Sequence, residues 1–523
     1  MSRLTRRSLL RWGLMLPTAG ALGRFTAASA DAGKVAKPIA PIPFDMPGYT
    51  EPTFPDRIFA ITDFGAKPGG EAMNTKAIAA AIAACAEAGG GRVLVPEGVW
   101  LTGPIHLKSN VNLHLAEGAE LRFSDKFDDY LPVVYMQRGG TRCYNYSPLI
   151  YARHCENIAV TGSGTLNGQG QAWWPWKKRQ PGMTRLFQMG ADQIPVEERV
   201  FGTEADGVRT CFIQPIDCKN VLLEGFTVVD GPSWNVHPVT CENLTVRGVS
   251  VTSLGPNNDG INPDSCRNVI VEDCYLDTGD DCICLKAGRN EDGWAVGKPC
   301  ENVVVRRCRT KRGHGGIVLG SEMSAGIRNV FVHDCRFEGT QRGIRLKSLP
   351  GRGGVLENLW FQNITMAEVG AAIHMTLRYS SGTSDRDRMP VFWNIDIRNI
   401  ECESARAAVE LLGLPAADTI QGVNIEDVSI ASHTGLQAEY VRDLRLKRVA
   451  LRPKQSPVMR LRGCRDVVIE QSACPEGAEV FLQVEGTGTK NICLSGIDLS
   501  GSARGVVLGA DVPADAVTTQ PQS

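Results

Sequence analysis

Short apolar segments that each begin at an asparagine recur along this chain. Six strong copies follow one another at intervals of 23, 25, 34, 27 and 29 residues, starting at Asn220, Asn243, Asn268, Asn302, Asn329 and Asn358. Weaker copies start at Asn110, Asn157, Asn394 and Asn424. Each copy is a short β-branched or aromatic strand ending in polar or turn residues. A period in the twenties predicts an all-β fold in which each repeat is one coil of a parallel β-helix. The Leu-x-x-Leu-x-Leu pattern of the main rival, a leucine-rich horseshoe, is missing.

Cysteines share this periodicity. Five of the seventeen stand two residues before an asparagine, namely Cys155, Cys218, Cys241, Cys266 and Cys300. Equivalent positions in successive repeats predict buried interior slots, where a free thiol behaves as a small hydrophobe. Occasional disulfides remain the alternative, and no zinc-type CxxC pair occurs. The asparagines are expected to form a ladder at a turn, with each amide bonded to the next coil.

The ends of the chain depart from the repeat. Residues 1–30 carry the Arg6-Arg7 pair, a short apolar stretch and a small-residue cleavage site, which predict a twin-arginine signal peptide and bacterial export to the periplasm or beyond. Residues 31–55 are interpreted as a leader, 56–500 as the β-helical domain and 501–523 as a loose tail. The stretch from Asn74 to Ala88 predicts a helix that covers the N-terminal end of the solenoid.

Composition limits the classes of function. With 523 residues and a formal net charge of -1 the chain can bury a large core, and it is not a strongly basic nucleic-acid binder. No run of 18 apolar residues occurs, so no membrane span is predicted. We expect a monomer whose charge complementarity to any partner is local.

Four polar clusters interrupt the apolar repeats: Asn257-Asn258-Asp259-Gly260, Gly279-Asp280-Asp281, Gly313-His314-Gly315 and Arg345-Leu346-Lys347. They recur at roughly one interval per repeat, so stacking the coils gathers them into one cleft along the solenoid axis. Two carboxylates about 5 Å apart repel by about 3 kcal/mol at an effective dielectric of about 20, which raises one pKa by about two units. One carboxyl therefore keeps a proton near neutrality, as glycoside hydrolysis requires. Arg345 and Lys347, alternate residues of a strand, share a face that suits an anionic substrate.

The order and spacing of these clusters resemble the polygalacturonase family of glycoside hydrolases, family 28, from about Phe59 to Ser500. The resemblance implies a right-handed parallel β-helix and an inverting hydrolysis that needs neither metal nor cofactor, with a pectic polysaccharide or oligogalacturonide as substrate. Two positions depart from the family pattern, Asn258 for threonine and Leu346 for isoleucine, and neither changes a charged group.

The resemblance also implies residue roles. Asp280 would be the general acid, and Asp259 and Asp281 would hold and deprotonate the attacking water. His314 would maintain the protonation of the acid. Substrate contacts would come from four further residues: Asn257, Arg345, Lys347 and Tyr379. The two cations would bind the carboxylate of a galacturonate unit, which favours an acidic sugar over neutral rhamnose.

Two stretches lack the repeat, Tyr130 to Tyr146 and Trp173 to Gly207. They are expected to project as long loops that wall off one end of the groove, which favours exo-action on oligogalacturonides. Their tryptophans could stack on sugars or pack on the barrel, and the same choice is open for Trp234 and His237. A rhamnogalacturonan-type hydrolase, a calcium-assisted pectate lyase and a non-catalytic carbohydrate-binding β-helix remain alternatives.

Overall fold

The protein is a right-handed parallel β-helix, described here from a computed structural model. The structure describes residues 41–178, 181–380, 387–415 and 418–520. The predicted signal peptide and the first part of the predicted leader lie outside these residues. Within the described part of the chain, no helix is both long and apolar enough to cross a bilayer.

The helices are α1 (Thr75–Glu87), α2 (Pro181–Ala191) and α3 (Asn290–Val296), with short 3-10 turns at Ile61–Phe64, Phe127–Tyr130, Gly170–Ala172, Trp174–Lys178, Val196–Glu198 and Glu204–Asp206. The strands of the first half are β1 (Ile58–Ala60), β2 (Gly91–Val95), β3 (Gly98–Thr102), β4 (Ile105–His106), β5 (Val111–Leu115), β6 (Ala119–Phe123), β7 (Val134–Arg138), β8 (Thr141–Asn145), β9 (Ile150–Arg153), β10 (Glu156–Gly162), β11 (Thr165–Asn167), β12 (Val200–Phe201), β13 (Ile213–Ile216), β14 (Lys219–Glu224), β15 (Thr227–Val229), β16 (Glu242–Arg247), β17 (Ser250–Ser253), β18 (Arg267–Glu272) and β19 (Tyr275–Thr278).

The strands of the second half are β20 (Ile283–Leu285), β21 (Cys300–Arg306), β22 (Arg309–Arg312), β23 (Ile317–Gly320), β24 (Ile327–His333), β25 (Arg336–Glu338), β26 (Arg342–Lys347), β27 (Val355–Ala367), β28 (Val369–Thr376), β29 (Val391–Leu412), β30 (Ile420–Glu439), β31 (Val441–Pro453), β32 (Met459–Arg462), β33 (Arg465–Glu470), β34 (Leu482–Glu485), β35 (Lys490–Ser495), β36 (Val506–Leu508) and β37 (Val517–Gln520).

Each predicted repeat is one coil, and neighbouring coils pair in parallel. One inward-facing row shows the register, because its members pair in succession and are all buried: Val221, Leu244, Val269, Val303, Val330, Leu359 and Ile395. Side chains of alternate residues point inward, so a β-branched or leucine residue every second position fills the interior. The predicted fold class is confirmed.

The repeat asparagines form the predicted ladder. Each side-chain amide donates to the side-chain oxygen of the preceding coil at 2.7–3.2 Å, through Asn110, Asn157, Asn220, Asn243, Asn268, Asn302, Asn329, Asn358 and Asn394. All nine have a left-handed backbone, with φ between 53° and 64°, which asparagine tolerates better than most residues. The weak copy assigned to Asn424 is out of register by two residues, since Gly422, with φ 63°, holds the equivalent position.

The cysteines fill the core as predicted. All seventeen are free; fifteen are buried, and Cys474 and Cys493 are partly buried. The five cysteines before ladder asparagines occupy the same position in consecutive coils, and Cys274, Cys308 and Cys335 form a second column. Burial raises the pKa of the Cys241 thiol well above its ordinary value.

A helix covers the N-terminal end of the solenoid. The buried face of α1 contributes Ile78, Ala81, Ile82 and Cys85 to the main core, as expected for the predicted N-terminal cap. Part of the predicted leader is fixed along the ladder, where the carbonyls of Pro47 and Gly48 accept hydrogen bonds from ladder amides at 3.0 Å. At the other end, β36 and β37 pair with β34 and β35. Strand pairing thus extends beyond residue 500, into the segment expected to be a loose tail.

A buried glutamate joins three coils on the outside of the ladder sheet. The carboxylate of Glu272 accepts hydrogen bonds from Arg247 at 2.6 Å, Arg306 at 2.7 Å and Arg307 at 2.9 Å. Burial alone would raise the pKa of Glu272, but these arginines lower it to about 2. The cluster therefore stabilises the stacking of the coils as long as Glu272 is ionised.

The two off-pattern stretches fold into a small subdomain, which we call the flanking subdomain (residues 130–146, 173–178 and 181–207). Strands β7 and β8 form an antiparallel hairpin, to which β12 adds in parallel, and α2 packs beside them. The prediction of long loops was wrong here, because α2 begins at Pro181 and buries an apolar face. Trp173 and Trp176 are buried in an aromatic cluster with Phe127 and Tyr146. These two tryptophans are packing groups.

Candidate active site

One face of the solenoid carries all four polar clusters. This site-bearing sheet contains β20, β23, β26 and β28, which pair in succession. Bridges between Ile261 and Ile283 continue it to the preceding coil. The register places Asp259 opposite Asp281, one position from the pairing with Asp280 that the spacing suggested. Asp281 and His314 lie just before β20 and β23. Arg345 and Lys347 lie in the second half of β26 and reach back towards Asp281.

Asp280 and His314 form a hydrogen-bonded pair at the exposed side of the site. The imidazole Nδ1 lies 2.9 Å from Asp280 Oδ1, and the His314 backbone amide donates to the Asp280 carbonyl at 2.9 Å. The Asn257 amide donates to the other carboxylate oxygen at 3.2 Å. The hydrogen bond to Asp280 raises the pKa of His314. Burial alone would raise the pKa of Asp280, but the hydrogen bond and charge of His314 lower it well below its ordinary value. Both shifts favour an ion pair in which the imidazole side carries the shared proton.

Asp281 is buried against the two cations of the fourth cluster. Lys347 Nζ lies 2.6 Å from Asp281 Oδ2, and an Arg345 guanidinium nitrogen lies 3.3 Å from Oδ1. Burial alone would lower the pKa of Lys347, but the charge of Asp281 raises it above its ordinary value. The side chain of Lys347 is 6% exposed and that of Arg345 13%. Arg345 therefore offers more of its charge to a ligand, while Lys347 mainly serves Asp281.

Asp259 lies deeper and carries the raised pKa that the sequence predicted for one acid of the site. Burial is the largest cause and the charge of Asp280 the next. Among the described residues, Asp259 Oδ1 has no hydrogen-bond partner, whereas Oδ2 lies 3.8 Å from Lys286 Nζ. Asp259 is thus the carboxyl whose charged form burial and Asp280 disfavour, and its free oxygen is available to a water or a hydroxyl.

Sequence reasoning missed Lys286 and Glu322. Lys286 is 2% exposed, and its Nζ lies 3.2 Å from Glu322 Oε2. Burial alone would raise the pKa of Glu322, but Lys286 and two nearby arginines lower it well below its ordinary value. A lysine inside the apolar run Cys282 to Ala287 was the available signal, because a cation in a buried strand needs an anionic partner.

Arg209 also escaped notice. It follows the flanking subdomain, and its guanidinium donates to the carbonyl of Pro256 at 2.6 Å and to Asn257 Oδ1 at 2.7 Å. Burial and the charge of Arg138 lower the pKa of Arg209 to about 9. These bonds fix the turn that presents Asn257 to Asp280.

The remaining predicted residues lie close by. The ring centre of Tyr379 is 5.2 Å from Lys347 Nζ and 5.8 Å from the Arg345 guanidinium, so all eight predicted site residues converge. Trp234 is 6% exposed, with Lys286 Nζ 4.4 Å from its ring centre and the ring centre of His237 4.7 Å away at an interplanar angle of 89°. These contacts make Trp234 a packing group beneath the site.

Two sets of potential metal ligands occur among the described residues, Asp259 with Asp281 and Cys284, and Asp280 with Asp281 and His314. The ligand atoms of each set lie within 4.8 Å of one another. Both sets include Asp281, whose oxygens already face Lys347 and Arg345. The site therefore balances its carboxylates with side-chain cations.

The model of "Glycosyl hydrolases family 28" matches residues 201–472. A "Probable polygalacturonase" of Vitis vinifera is 32% identical over 397 residues, which cover 73% of this chain and 75% of that protein. An "Exo-poly-alpha-D-galacturonosidase" of Dickeya chrysanthemi is 27% identical over 414 residues, covering 71% of this chain and 66% of that protein.

Among solved structures, a hyperthermoactive exopolygalacturonase from Thermotoga maritima matches with a TM-score of 0.67 and 34% identity, over 88% of this chain and 94% of the other. The family match covers more than half of the chain and includes every catalytic residue predicted above. The chain belongs to family 28 of the glycosyl hydrolases.

Proposed function

We propose that this glycoside hydrolase cleaves the α-1,4 linkage between galacturonate units of pectin or its oligosaccharides. It does so by metal-independent acid/base catalysis with inversion, and it removes units from a chain end. The observation that carries the proposal is that three carboxylates stand beside one another in three different charge environments, next to a partly exposed arginine. Such a division gives one group the acid role and another the base role.

Proton delivery is assigned to the Asp280–His314 pair. The pair holds one proton across a contact of 2.9 Å, and Asp280 is 17% exposed, so a glycosidic oxygen can approach it. As the bond to the leaving oxygen breaks, Asp280 donates the proton and the imidazole supplies it from the other side. Asn257 holds the carboxyl in place through its second oxygen.

The attacking water is assigned to Asp259 and Asp281. The free Oδ1 of Asp259 holds the water, and the Asp281 carboxylate accepts its proton as the new bond to the sugar forms. The nearest oxygens of Asp280 and Asp281 lie within 4.8 Å. Inverting glycosidases usually separate their carboxyl groups by about 6.5–9.5 Å. The anomer released is therefore the measurement that decides this step.

The substrate carboxylate is assigned to Arg345, with Lys347 and Tyr379 beside it. A guanidinium binds a carboxylate with two parallel hydrogen bonds, and among the described residues Arg345 Nε has no partner of its own. This arrangement favours a uronic acid over a neutral sugar at the site.

Exo-action is supported by the flanking subdomain. Gln137 donates to Asp264 at 2.6 Å, and the carbonyl of Gly140 accepts from the Arg289 amide at 3.0 Å, so the hairpin is fixed against the coils that carry Asp259 and Lys286. A wall at one side of the cleft stops a polymer from passing through. The names of the Dickeya and Thermotoga relatives point the same way.

The test is product analysis on polygalacturonate and on oligomers of defined length. We expect monomeric or small products from the first minutes, little early loss of viscosity and full activity in chelator. Asp280→Asn should abolish hydrolysis without changing the thermal unfolding temperature. Proton NMR during the first turnover should show the β-anomer. Unsaturated products that absorb in the ultraviolet would indicate a lyase, and release of rhamnose-containing units would indicate a rhamnogalacturonan hydrolase.

We further propose that the twin-arginine segment directs export and that the enzyme acts as a monomer. Cell fractionation with Arg6→Lys combined with Arg7→Lys tests the first point, since the variant should accumulate in the cytoplasm. Light scattering of the purified enzyme tests the second, because one chain has a mass of 56.6 kDa.

A further inference from the structure

A second polar groove lies on the site-bearing sheet beyond Arg345. The coil position of Arg345 continues through His374, Glu410, Gln437 and Arg460, each paired with the one before. An open cavity of about 520 Å³ occupies this part of the sheet, and its lining includes Arg342, Arg406, Glu410, Gln437 and Arg460. The groove therefore begins on the same strand, β26, that carries Arg345 and Lys347.

Two of its three arginines have no ion pair in the described part of the chain, and the third, Arg460, lies 3.9 Å from Glu485. Among the described residues, no carboxylate lies within 4.0 Å of the guanidinium of Arg342 or Arg406, and Arg342 Nε is buried without a hydrogen-bond partner. The one carboxylate of the lining, Glu410, lies 2.7 Å from His374 Nδ1. Arg342 and Arg406 therefore give the groove positive charge that no close ion pair in the described part of the chain balances.

The backbone leaves room for these side chains. A Cβ placed on Gly370 would approach the Arg342 guanidinium to 3.2 Å and the carbonyl of Gln341 to 2.3 Å. Arg342 is tied to that same carbonyl by a hydrogen bond of 2.8 Å. A side chain at position 370 would therefore crowd both the Arg342 guanidinium and the carbonyl that it bonds.

A larger groove of about 1020 Å³ lies further along the solenoid and differs in its charges. Its arginines are paired: Arg442 with Asp418 at 3.1 Å, Arg462 with Glu485 at 2.6 Å, and Arg465 with Asp418. Arg342 and Arg406, which have no ion pair among the described residues, distinguish the groove next to the catalytic site.

We propose that the groove lined by Arg342, Arg406 and Arg460 is a distal binding site for the carboxylates of an acidic oligosaccharide whose end is held in the catalytic site. The proposal rests on the proposed function, because it extends the same bound chain. Four coil steps separate Arg345 from Arg460, about 19 Å at about 4.8 Å per step, which is the length of several sugar units. The flanking subdomain is bonded to the coils that carry Asp259 and Lys286, whereas the groove lies on later coils beyond Arg345, so a chain whose end is held at the acids extends towards this groove.

The consequence is a preference for long, unesterified substrates. We expect Arg406→Gln and Arg460→Gln each to lower kcat/KM on a long oligogalacturonate about tenfold, as loss of a charge-assisted hydrogen bond implies. Digalacturonate is too short to extend from the catalytic site to the groove. Its kcat/KM should therefore change less than about twofold in these variants, which is the scatter expected for a surface substitution. Arg445→Gln, an exposed arginine of β31 paired with Glu470, is the matched control and should change neither. In the unaltered enzyme, methyl-esterified long oligomers should lose the higher kcat/KM that unesterified long oligomers have over short ones.

Binding separates this proposal from the catalytic one. Titration of long oligogalacturonate into Asp280→Asn, alone and combined with Arg406→Gln, should give an affinity about tenfold lower for the double variant. Equal losses on short and long substrates, or no loss on either, would overturn the distal site while leaving the hydrolase intact. If the enzyme cleaves no galacturonate but shows the same arginine-dependent binding, the proposed function is wrong and the distal binding site still stands.

Discussion

The asparagine ladder is tested most directly by Asn268→Ala. The Asn268 amide donates to Asn243 at 3.1 Å and to the carbonyl of Pro47 at 3.0 Å, and its oxygen accepts from Asn302 at 3.1 Å. Each hydrogen bond contributes a net stability of about 1 kcal/mol, so the substitution costs about 3 kcal/mol. Alanine at a φ of 57° adds about 1 kcal/mol. We therefore expect the free energy of unfolding to fall by about 4 kcal/mol.

Urea unfolding followed by far-ultraviolet circular dichroism measures this loss, provided that the slope with denaturant is unchanged. Because a solenoid can open locally, hydrogen exchange of the amides in β16, β18 and β21 should be measured as well. Protection is expected to fall there first.

Two further variants divide the loss into its parts. Asn268→Gly removes the same hydrogen bonds but accepts the left-handed backbone, so it should cost about 1 kcal/mol less than alanine. Asn394→Ala, at the end of the ladder where Gly422 follows, loses the bond to Asn358 and should cost about 2 kcal/mol. If Asn394→Ala is as damaging as Asn268→Ala, or glycine as damaging as alanine, the reasoning about the ladder is wrong.

Three other predictions follow from the charged groups. Lys286→Met removes the cation that lies between Asp259 and Glu322 and leaves Glu322 with Arg289 at 3.7 Å. It should lower the free energy of unfolding by about 3–5 kcal/mol and reduce kcat, whereas Lys286→Arg should restore part of both in the same unfolding and product assays. Because the pKa of His314 is raised, the Asp280–His314 pair keeps its proton until the pH rises through that pKa, and kcat/KM should fall on the alkaline side. His314→Gln should move that limb to lower pH, and a profile with an unmoved limb would contradict the assigned pair. Glu272→Gln should cost about 3 kcal/mol at neutral pH, since the pKa of Glu272 falls from 4.5 to about 2 on folding. This contribution is complete above pH 4.5 and is lost as the pH falls through about 2. The free energies of unfolding of the unaltered protein and the variant should therefore become equal in urea titrations at acid pH.

The periodic part of the fold was predictable because one side-chain type repeats at one backbone position. Asparagine tolerates the left-handed corner and also bonds the coil above, so the sequence marks each corner directly. The same periodicity placed Asp259, Asp280 and His314 on one face. A shift of one residue in the coil length was enough to pair Asp259 with Asp281 in the structure, which spacing alone could not resolve.

The aperiodic parts were harder to predict, for different reasons. Glu322 reaches Lys286 from the next coil, and the interposed α3 hides that relation in the sequence. For α2, the spacing of Met183, Leu186 and Phe187 after Pro181 was a helical signal that the surrounding polar residues obscured. Strands β36 and β37 begin without asparagine, so the repeat template did not extend to them.

The column of thiols has a consequence for how the enzyme is made. Cys155, Cys218, Cys241, Cys266 and Cys300 stand on consecutive rungs, and rungs about 4.8 Å apart fall within the reach of a disulfide bridge. If an unfolded chain met an oxidant, all seventeen thiols could form disulfides between the wrong coils. In the folded chain fifteen of them are buried. Recombinant production should therefore let the chain mature in a reducing cytoplasm, and refolding from denaturant should be carried out with a reductant present.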